Sequence, residues 1–217
     1  MSPPAAEPRP YAGVSGEDRR ARRREQLLQA GLELFGTRGY AASSVREICL
    51  AASLNRRYFY ESFSTREDLL RSVYDEIVTD LARTMFAAVQ GVEGLDARIR
   101  AGMEAFWSSV TTDHRRARIL TIEIIGVSAE LERRRREARH GFAEFIAAQA
   151  LELAAAEGYA LRLDPTLTAR ALVAATIDLV IDWMRDDVRW SVAELTESCI
   201  DLFSVCGRAA FYDPSGV

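Results

Sequence analysis

The sequence contains no lysine, so all 28 of its basic residues are arginines. Every basic contact is therefore made by a guanidinium group, which can donate two parallel hydrogen bonds and can stack on an aromatic ring. Histidine is also scarce, with two in 217 residues, and no Cys, His or Asp group has the spacing of metal ligands. The longest apolar run, ALVAATIDLVI, contains Asp178 and is too short to cross a bilayer. We therefore expect neither a metal site nor a membrane protein.

Only three cysteines are present, which argues against a disulfide framework. Cys199 and Cys206 are seven positions apart, and the corresponding rise of about 10 Å on one helix is too long for a disulfide. Reduced, buried thiols are typical of cytosolic proteins. The Pro-rich beginning of the sequence lacks the apolar segment of a signal peptide. We therefore expect a cytoplasmic protein.

The charges are unevenly distributed along the chain. Residues 1–71 hold 12 Arg against 9 Asp and Glu, whereas residues 72–217 hold 16 Arg against 23 Asp and Glu. A basic end on an acidic body favours local attraction to a polyanion. Residues 1–16 are rich in Pro, Gly and Ala, a composition that predicts a disordered tail.

From Glu17 onward the apolar residues recur with the helical period, and no segment has a convincing strand alternation. This pattern predicts an all-α fold of about nine helices. Helix starts are marked by the N-cap and Pro pair Asp164–Pro165 and by three capping boxes. The capping boxes are Ser44–Glu47, Ser64–Glu67 and Ser191–Glu194.

Two short helices joined by a tight turn over residues 51–54 have the form of a helix-turn-helix, whose second helix enters the major groove of DNA. On a projection of 100° per residue, Phe59 and Phe63 form a buried pair. Arg57 and Tyr58 lie opposite this pair, where they can meet base edges. Arg56 and Tyr60 lie on the flank, nearer the phosphates. The alternative explanation is a charged face on a small helical bundle.

The stretch REQLLQAGLELFGTRGYAASSVREICLAASLNRRYFYESFSTREDLL, residues 24–70, resembles the DNA-binding domain of the TetR family of transcriptional regulators. The matching features are the glycine after helix 1, the S-V-R-E-I opening of helix 2, the Tyr-x-x-Phe of helix 3 and the S-x-R-E-x-L-L opening of helix 4. The chain departs from the family pattern at Ser53, where Gly is usual, and at Glu61, where a neutral or basic residue is usual. The resemblance implies DNA contacts by Ser44, Asn55, Arg56, Arg57, Tyr58, Tyr60, Thr65 and Arg66.

The resemblance also implies the organisation of the chain. It predicts a helix-turn-helix domain over residues 17–70, whose fourth helix continues to about residue 90, and a ligand-binding and dimerisation domain over residues 91–217. The implied function is a repressor that a small-molecule effector releases from a pseudo-palindromic double-stranded operator by a population shift. No bound cofactor is implied.

Large apolar residues between positions 95 and 185 are the candidates for a ligand pocket, although the pattern favours a place in the core for each of them. Three acidic residues, Glu123, Asp178 and Asp182, would favour a ligand with a cationic or hydroxyl group if they faced that pocket. The pocket candidates are Met103, Phe106, Trp107, Ile124, Phe142, Phe145, Ile177 and Trp183.

The last two helices carry apolar residues on two faces, and both faces of such a helix must be covered. This pattern predicts a homodimer formed through these helices, with burial inside one chain as the alternative. A dimer places two helix-turn-helix units on a two-fold axis, as a pseudo-palindrome requires.

Other functions have weaker support. The run Arg133–Arg136 is flanked by glutamates within helical pairing distance, which favours an ion-paired helix face over a nucleic-acid patch. No Ser/His/Asp group, phosphate loop or metal motif supports an enzyme. A helical interaction protein that has lost DNA binding is the main alternative, and it rests on Ser53 and Glu61.

Overall fold

The computed structural model describes residues 15–186 and 189–212, and these residues form nine α-helices. A π-helical turn, Ile119–Glu123, follows the sixth helix, and two short strands, β1 (Ala160–Leu161) and β2 (Phe211–Tyr212), pair in antiparallel fashion. The predicted all-α fold is confirmed. The helices are α1 (Gly16–Thr37), α2 (Val45–Ala51), α3 (Arg56–Tyr60), α4 (Arg66–Val89), α5 (Leu95–Thr112), α6 (His114–Arg118), α7 (Ala129–Glu157), α8 (Pro165–Met184) and α9 (Val192–Ala210).

Side-chain caps mark the starts of most of these helices, α5 after Gly94 being an exception. The predicted caps Ser44, Asp164 and Ser191 each accept a hydrogen bond from a backbone N–H three residues further on. The prediction for α4 was wrong by one residue. Thr65 rather than Ser64 is its N-cap, and Asp68 completes the capping box, because a Thr-x-x-Asp pattern offers the same pair of reciprocal hydrogen bonds.

The first helix begins earlier than expected. The Ser15 hydroxyl accepts from the Asp18 N–H at 3.0 Å, and the Asp18 carboxylate accepts from the Ser15 N–H at 3.1 Å. This capping box starts α1 at Gly16, so Arg19, Arg20, Arg22, Arg23 and Arg24 all lie on this helix. The rest of the predicted tail, residues 1–14, lies outside the described residues.

The segment from Asp113 to Val127 is not one continuous helix. It forms α6 and then the π-helical turn, which ends at Glu123, and the turn that follows contains Gly126, whose φ is 72°. Single π-helical turns of this kind occur frequently at functional sites. The strands β1 and β2 were not predicted, because two residues are too few to show an alternating pattern.

The apolar core has two main parts that meet at the π-helical turn. The head, which comprises α1–α3 and the beginning of α4, surrounds Phe35, Phe59 and Leu69, all fully buried. The body comprises the remaining helices, and its core includes Trp107. Leu120 packs against both parts. None of the described helices has the length and apolar character that a membrane span requires.

The apolar residues of α8 and α9 are largely covered within the single chain. Leu172, Val173 and Val180 of α8 are buried, and so are Leu195, Cys199, Ile200 and Phe203 of α9. Much of the apolar surface that the sequence predicts on these two helices is therefore covered by other parts of the same chain. Leu202 and Val205 of α9 remain exposed, at 43% and 58%.

Candidate nucleic-acid interface and ligand cavities

Helix α3 presents a polar surface at one end of the head. The Asn55 side chain caps it by accepting from the Tyr58 N–H at 3.2 Å. Phe59 and Phe63 are buried, as predicted, with ring centroids 5.9 Å apart. The helix ends at Tyr60, and the Phe63 N–H donates to the Phe59 carbonyl at 2.8 Å. Burial of the phenylalanines turns the opposite side outward, so the exposed residues are Asn55, Arg56, Arg57 and Tyr60.

The turn between α2 and α3 contains a serine in the left-handed region. Ser53 has a φ of 54°, a conformation that costs a residue with a Cβ about 1–2 kcal/mol. The Leu54 N–H donates to the Cys49 carbonyl at 2.9 Å and closes the turn. The helix-turn-helix geometry is thus retained with Ser in the position where Gly would be unstrained.

Glu61 contacts two arginines of the head. Its carboxylate lies 3.1 Å from Arg57 Nε and 3.6 Å from Arg23 Nη2. Arg23 also stacks over the Tyr58 ring at 4.3 Å from the centroid, so Tyr58 is half-buried. The Arg57 side chain is 84% exposed, and an exposed ion pair of this kind is worth about 1 kcal/mol or less. Arg57 can therefore leave its ion pair with Glu61 at a small cost in free energy, which frees its guanidinium for another partner.

The residues predicted to contact phosphates adjoin one another at the starts of α2 and α4. The Ser44 hydroxyl donates to the Glu47 carboxylate at 2.8 Å, and the hydrogen bonds from Ser44 lower the pKa of Glu47. The guanidinium of Arg66 stacks over the Tyr40 ring at 4.0 Å and donates to the Ser43 carbonyl, so it lies against the head. Thr65 is exposed beside it.

A polar junction connects the head to the body. Helix α1 approaches α6 so closely that a Cβ on Gly36 would lie 2.3 Å from Arg115 Cβ. Next to this contact, Arg115 Nη1 donates to the Glu33 carboxylate at 2.6 Å. The close approach therefore requires glycine at position 36.

Glu123 is the centre of the junction. Its carboxylate accepts from the Tyr40 backbone N–H at 2.6 Å and from Arg118 Nε at 2.7 Å. Arg118 in turn donates to the Thr37 carbonyl at 2.9 Å. Glu123 was expected to face a ligand pocket, but it lines neither cavity described below. Two other residues of the same π-helical turn, Leu120 and Thr121, do face a cavity.

The cavity that adjoins the π-helical turn, here called the near cavity, has a volume of about 60 Å³ and lies between that turn and α4, α5, α7, α8 and α9. Its walls are apolar apart from a few polar groups, and Arg135 and Arg139 of α7 are among them. Arg135 is paired with Glu132 at 2.9 Å, whereas Arg139 has no ion pair or hydrogen bond to any described residue. Burial raises the pKa of Tyr74 to about 12, so its phenol on the cavity wall stays protonated. The predicted pocket residues that line this cavity are Met103, Phe106, Phe142 and Ile177.

The far cavity, of about 110 Å³, lies between α4, α5, α7, α8 and α9, beside the strand pair. Phe145, another predicted pocket residue, lines it. Its one lining guanidinium, Arg98, is already held by the Val92 carbonyl at 2.7 Å and by Glu152 at 3.1 Å.

Three predicted pocket residues line neither cavity. Trp107 is buried in the core of the body, and Ile124 is buried in the core around the head. Trp183 stacks on His114, with ring centroids 4.8 Å apart. Asp178 and Asp182 also lie outside both walls. The carboxylates of Glu123, Asp178 and Asp182 therefore do not bind a cationic group of a ligand in either cavity.

Two family models match the chain. The model for bacterial regulatory proteins of the tetR family matches residues 27–73, and the model for a tetracyclin repressor-like C-terminal domain matches residues 93–205. Together they span most of the sequence. The chain belongs to the TetR family. It is accordingly a transcriptional regulator with a helix-turn-helix head and a helical C-terminal body.

Similar proteins include two bacterial regulators. The transcriptional activator FasR of Mycolicibacterium smegmatis is 32% identical over 52% of this chain, and the match spans about half (53%) of FasR. The fatty acid metabolism regulator protein of Bacillus subtilis is 23% identical over 82% of this chain and 91% of its own length.

Solved structures share the fold. A crystal structure of the Bacillus subtilis regulator FadR in complex with stearoyl-CoA has a TM-score of 0.73 at 22% identity, covering 82% of this chain and 96% of that one. A structure of AibR with isovaleryl coenzyme A and operator DNA has a TM-score of 0.64 at 20% identity, covering 83% of this chain and 97% of that one.

Sequence reasoning missed the junction of this TetR-family chain. Gly36, Tyr40 and Arg118 were not singled out, because their partners are distant in sequence. One signal was available, since the Gly-x-x-Gly spacing of Gly36 and Gly39 is compatible with a close helix contact. Arg139 was likewise passed over within an arginine-rich segment that reads as a solvated face.

Proposed function

We propose that this TetR-family regulator is a dimeric repressor, released from its operator by an amphipathic anion with an apolar chain, such as a fatty acyl-CoA. The observation that carries this proposal is the near cavity, whose walls are apolar and whose edge bears Arg139, a guanidinium without a partner among the described residues. An apolar pocket with a few convergent polar groups is the usual form of a small-molecule site. The acyl-CoA complexes of two solved relatives support this ligand class.

The DNA-binding part of the proposal rests on the head. Residues 17–70 would form the DNA-binding domain, with Arg57, Tyr58 and Asn55 at base edges and the remaining contacts on phosphates. Arg57 is the best-placed reader of guanine, because it is strongly exposed and its guanidinium can bond bidentately to O6 and N7. The full set of proposed DNA contacts is Ser44, Asn55, Arg56, Arg57, Tyr58, Tyr60, Thr65 and Arg66.

The dimer in this proposal forms through the last two helices, α8 and α9, of the domain proposed for residues 91–217. Leu202 and Val205 are exposed side by side on α9, where a second chain can cover them. Two heads held on a two-fold axis would meet successive major grooves of a pseudo-palindrome. Because operator DNA is the partner, the proposed location is the cytoplasm.

In this proposal, the ligand causes release of the operator by acting on the π-helical turn. Leu120 and Thr121 line the near cavity, while Glu123 on the same turn holds the head through Tyr40. A ligand that expands the near cavity would favour a different position of the turn, and hence of the head. Such a ligand shifts the population toward a dimer that fits the operator poorly.

The DNA part is tested by footprinting the DNA upstream of the protein's own gene and of its neighbours, at two salt concentrations. Arg57→Ala should abolish a sequence-specific footprint and leave the dimer intact. The matched control is Arg83→Ala, which removes a similarly exposed, ion-paired arginine from α4. A footprint that survives Arg57→Ala would refute the proposed contact of Arg57 with the bases. The absence of any footprint with the unaltered chain would favour the interaction-protein alternative.

The ligand part is tested by titrating palmitoyl-CoA into the protein–operator complex. Arg139→Ala should weaken palmitoyl-CoA binding by roughly 10- to 100-fold, the loss expected for a charge-assisted hydrogen bond. Arg136→Ala is the matched control, because Arg136 is exposed on α7 and lines neither cavity. Equal effects of the two substitutions would contradict the proposal. A reporter gene under the operator then decides between repression and the activation for which FasR is named.

A further inference from the structure

The near and far cavities share part of their walls. Four side chains line both of them, namely Met85 of α4, Met103 of α5, Ile146 of α7 and Phe203 of α9. The remaining lining residues belong to one cavity or the other. These four side chains therefore form the wall between the two cavities.

Two of the four are methionines, contributed by helices that pack against each other. Met85 and Met103 are 4% and 5% exposed. An unbranched thioether side chain with three rotatable bonds can change its shape with little strain, unlike a branched or aromatic side chain. The methionine part of the wall is consequently the part that can move.

The two cavities differ in chemistry. The near cavity carries Arg139, which is unpaired among the described residues, and the protonated phenol of Tyr74. The far cavity offers no such group, because its arginine, Arg98, is held by Val92 and Glu152. An anionic end is therefore favoured in the near cavity and an apolar end in the far one. Leu161 and Phe211, from the paired strands, line the far cavity.

The sizes of the cavities limit what fits without movement. The near cavity has about 60 Å³ and the far cavity about 110 Å³, whereas ligand pockets usually have roughly 300–1,000 Å³. A short acyl chain needs only the near cavity to widen. A long chain anchored at Arg139 has to pass the shared wall.

We propose that Met85 and Met103 form a movable partition that determines which chain lengths this protein binds. A long apolar chain displaces both side chains and extends into the far cavity, which a short chain does not reach. This inference rests on the proposed function, since it assumes a ligand with an anionic end and an apolar chain. It adds the residues that determine specificity, and it assigns the far cavity to the end of the ligand's apolar chain.

The test is calorimetric titration of the full chain, without DNA, with butyryl-, octanoyl-, palmitoyl- and stearoyl-CoA. Each methylene that becomes buried should tighten binding by roughly fourfold. The unaltered chain should therefore bind palmitoyl-CoA far more tightly than butyryl-CoA. Met103→Phe, which stiffens the partition, should weaken palmitoyl-CoA binding by roughly tenfold or more and weaken butyryl-CoA binding far less.

Two further variants guard against a folding defect. Met85→Ala opens the partition and should raise the affinity for octanoyl-CoA. Met184→Phe is the matched control, because this half-buried methionine of α8 lines neither cavity, and it should not change the dependence on chain length. Equal weakening of all chain lengths by Met103→Phe, together with no gain from Met85→Ala, overturns the partition alone. If the unaltered chain binds none of the thioesters, the ligand class and the partition fail together.

Discussion

The backbone N–H of Tyr40 donates to the Glu123 carboxylate at 2.6 Å, joining residues that lie 83 positions apart in the sequence. Tyr40 belongs to the loop between α1 and α2, and Glu123 ends the π-helical turn. The Glu123 side chain is only 11% exposed, so its charge depends on Tyr40 and Arg118 for compensation. The contact joins the head to the π-helical turn, whose residues Leu120 and Thr121 form part of the wall of the near cavity.

Glu123→Gln should uncouple ligand binding from DNA binding. The substitution keeps the shape of the side chain but removes the charge that pairs with Arg118. We expect the ratio of operator affinities without and with palmitoyl-CoA to fall by about fivefold or more, within the usual range of coupling energies. Glu130→Gln, at an exposed pair with Arg133 on α7, is the control and should leave the ratio unchanged. An unaltered ratio in Glu123→Gln would show that the junction does not transmit binding.

Gly36→Ala should disrupt the contact between α1 of the head and α6 of the body. The new Cβ would lie 2.3 Å from Arg115 Cβ and 2.7 Å from its Cα, so the backbone itself must move. We expect a loss of about 1–3 kcal/mol in the free energy of unfolding, measured by denaturant titration. Gly141→Ala is the control, because a Cβ at this position on α7 meets nothing within 4 Å. That control should gain about 0.5–1 kcal/mol from helix propensity.

Ser53→Gly should stabilise the turn between α2 and α3. A φ of 54° is strained for serine and relaxed for glycine, so we expect the free energy of unfolding to rise by about 1 kcal/mol. Ser53→Ala retains the Cβ and should bring no such gain. A melting temperature that falls in Ser53→Gly would contradict the strain seen at this turn.

Tyr74 should make the protein lose stability at alkaline pH. Its pKa in the folded chain is raised to about 12, from an ordinary value near 10. Between these two values the unfolded chain releases the phenolic proton and the folded chain keeps it, so the free energy of unfolding falls as pH rises, by at most about 1.4 kcal/mol per unit. Tyr74→Phe should reduce the loss measured between about pH 9 and pH 12.

The sequence predicts the head better than the body because the signals of the head are local. The capping box at Ser44 and Glu47 and the pair of Phe59 and Phe63 each lie within a few positions. Local pattern also has limits, since Ser64 and Thr65 both offer a cap and only the structure decides between them.

The junction and the cavities depend on contacts that no local pattern encodes. From the sequence alone, Glu123 is a candidate carboxylate for the ligand pocket. The structure shows that it instead accepts a hydrogen bond from the Tyr40 N–H. Ile124 reads as a ligand contact because it is apolar, yet it packs in the core around the head. The π-helical turn has no distinct periodicity over five residues, and a sequence pattern cannot show that Met85 and Met103 face two cavities at once.

Cys206 gives the far cavity a natural chemical reporter. Burial raises the pKa of the other two thiols, Cys49 and Cys199, and both are enclosed in the core. Cys206 is half-buried and lines the far cavity. A small maleimide should therefore alkylate Cys206 first. The rate of that single labelling reaction, followed by mass spectrometry, would show directly whether a bound molecule occupies that end of the protein.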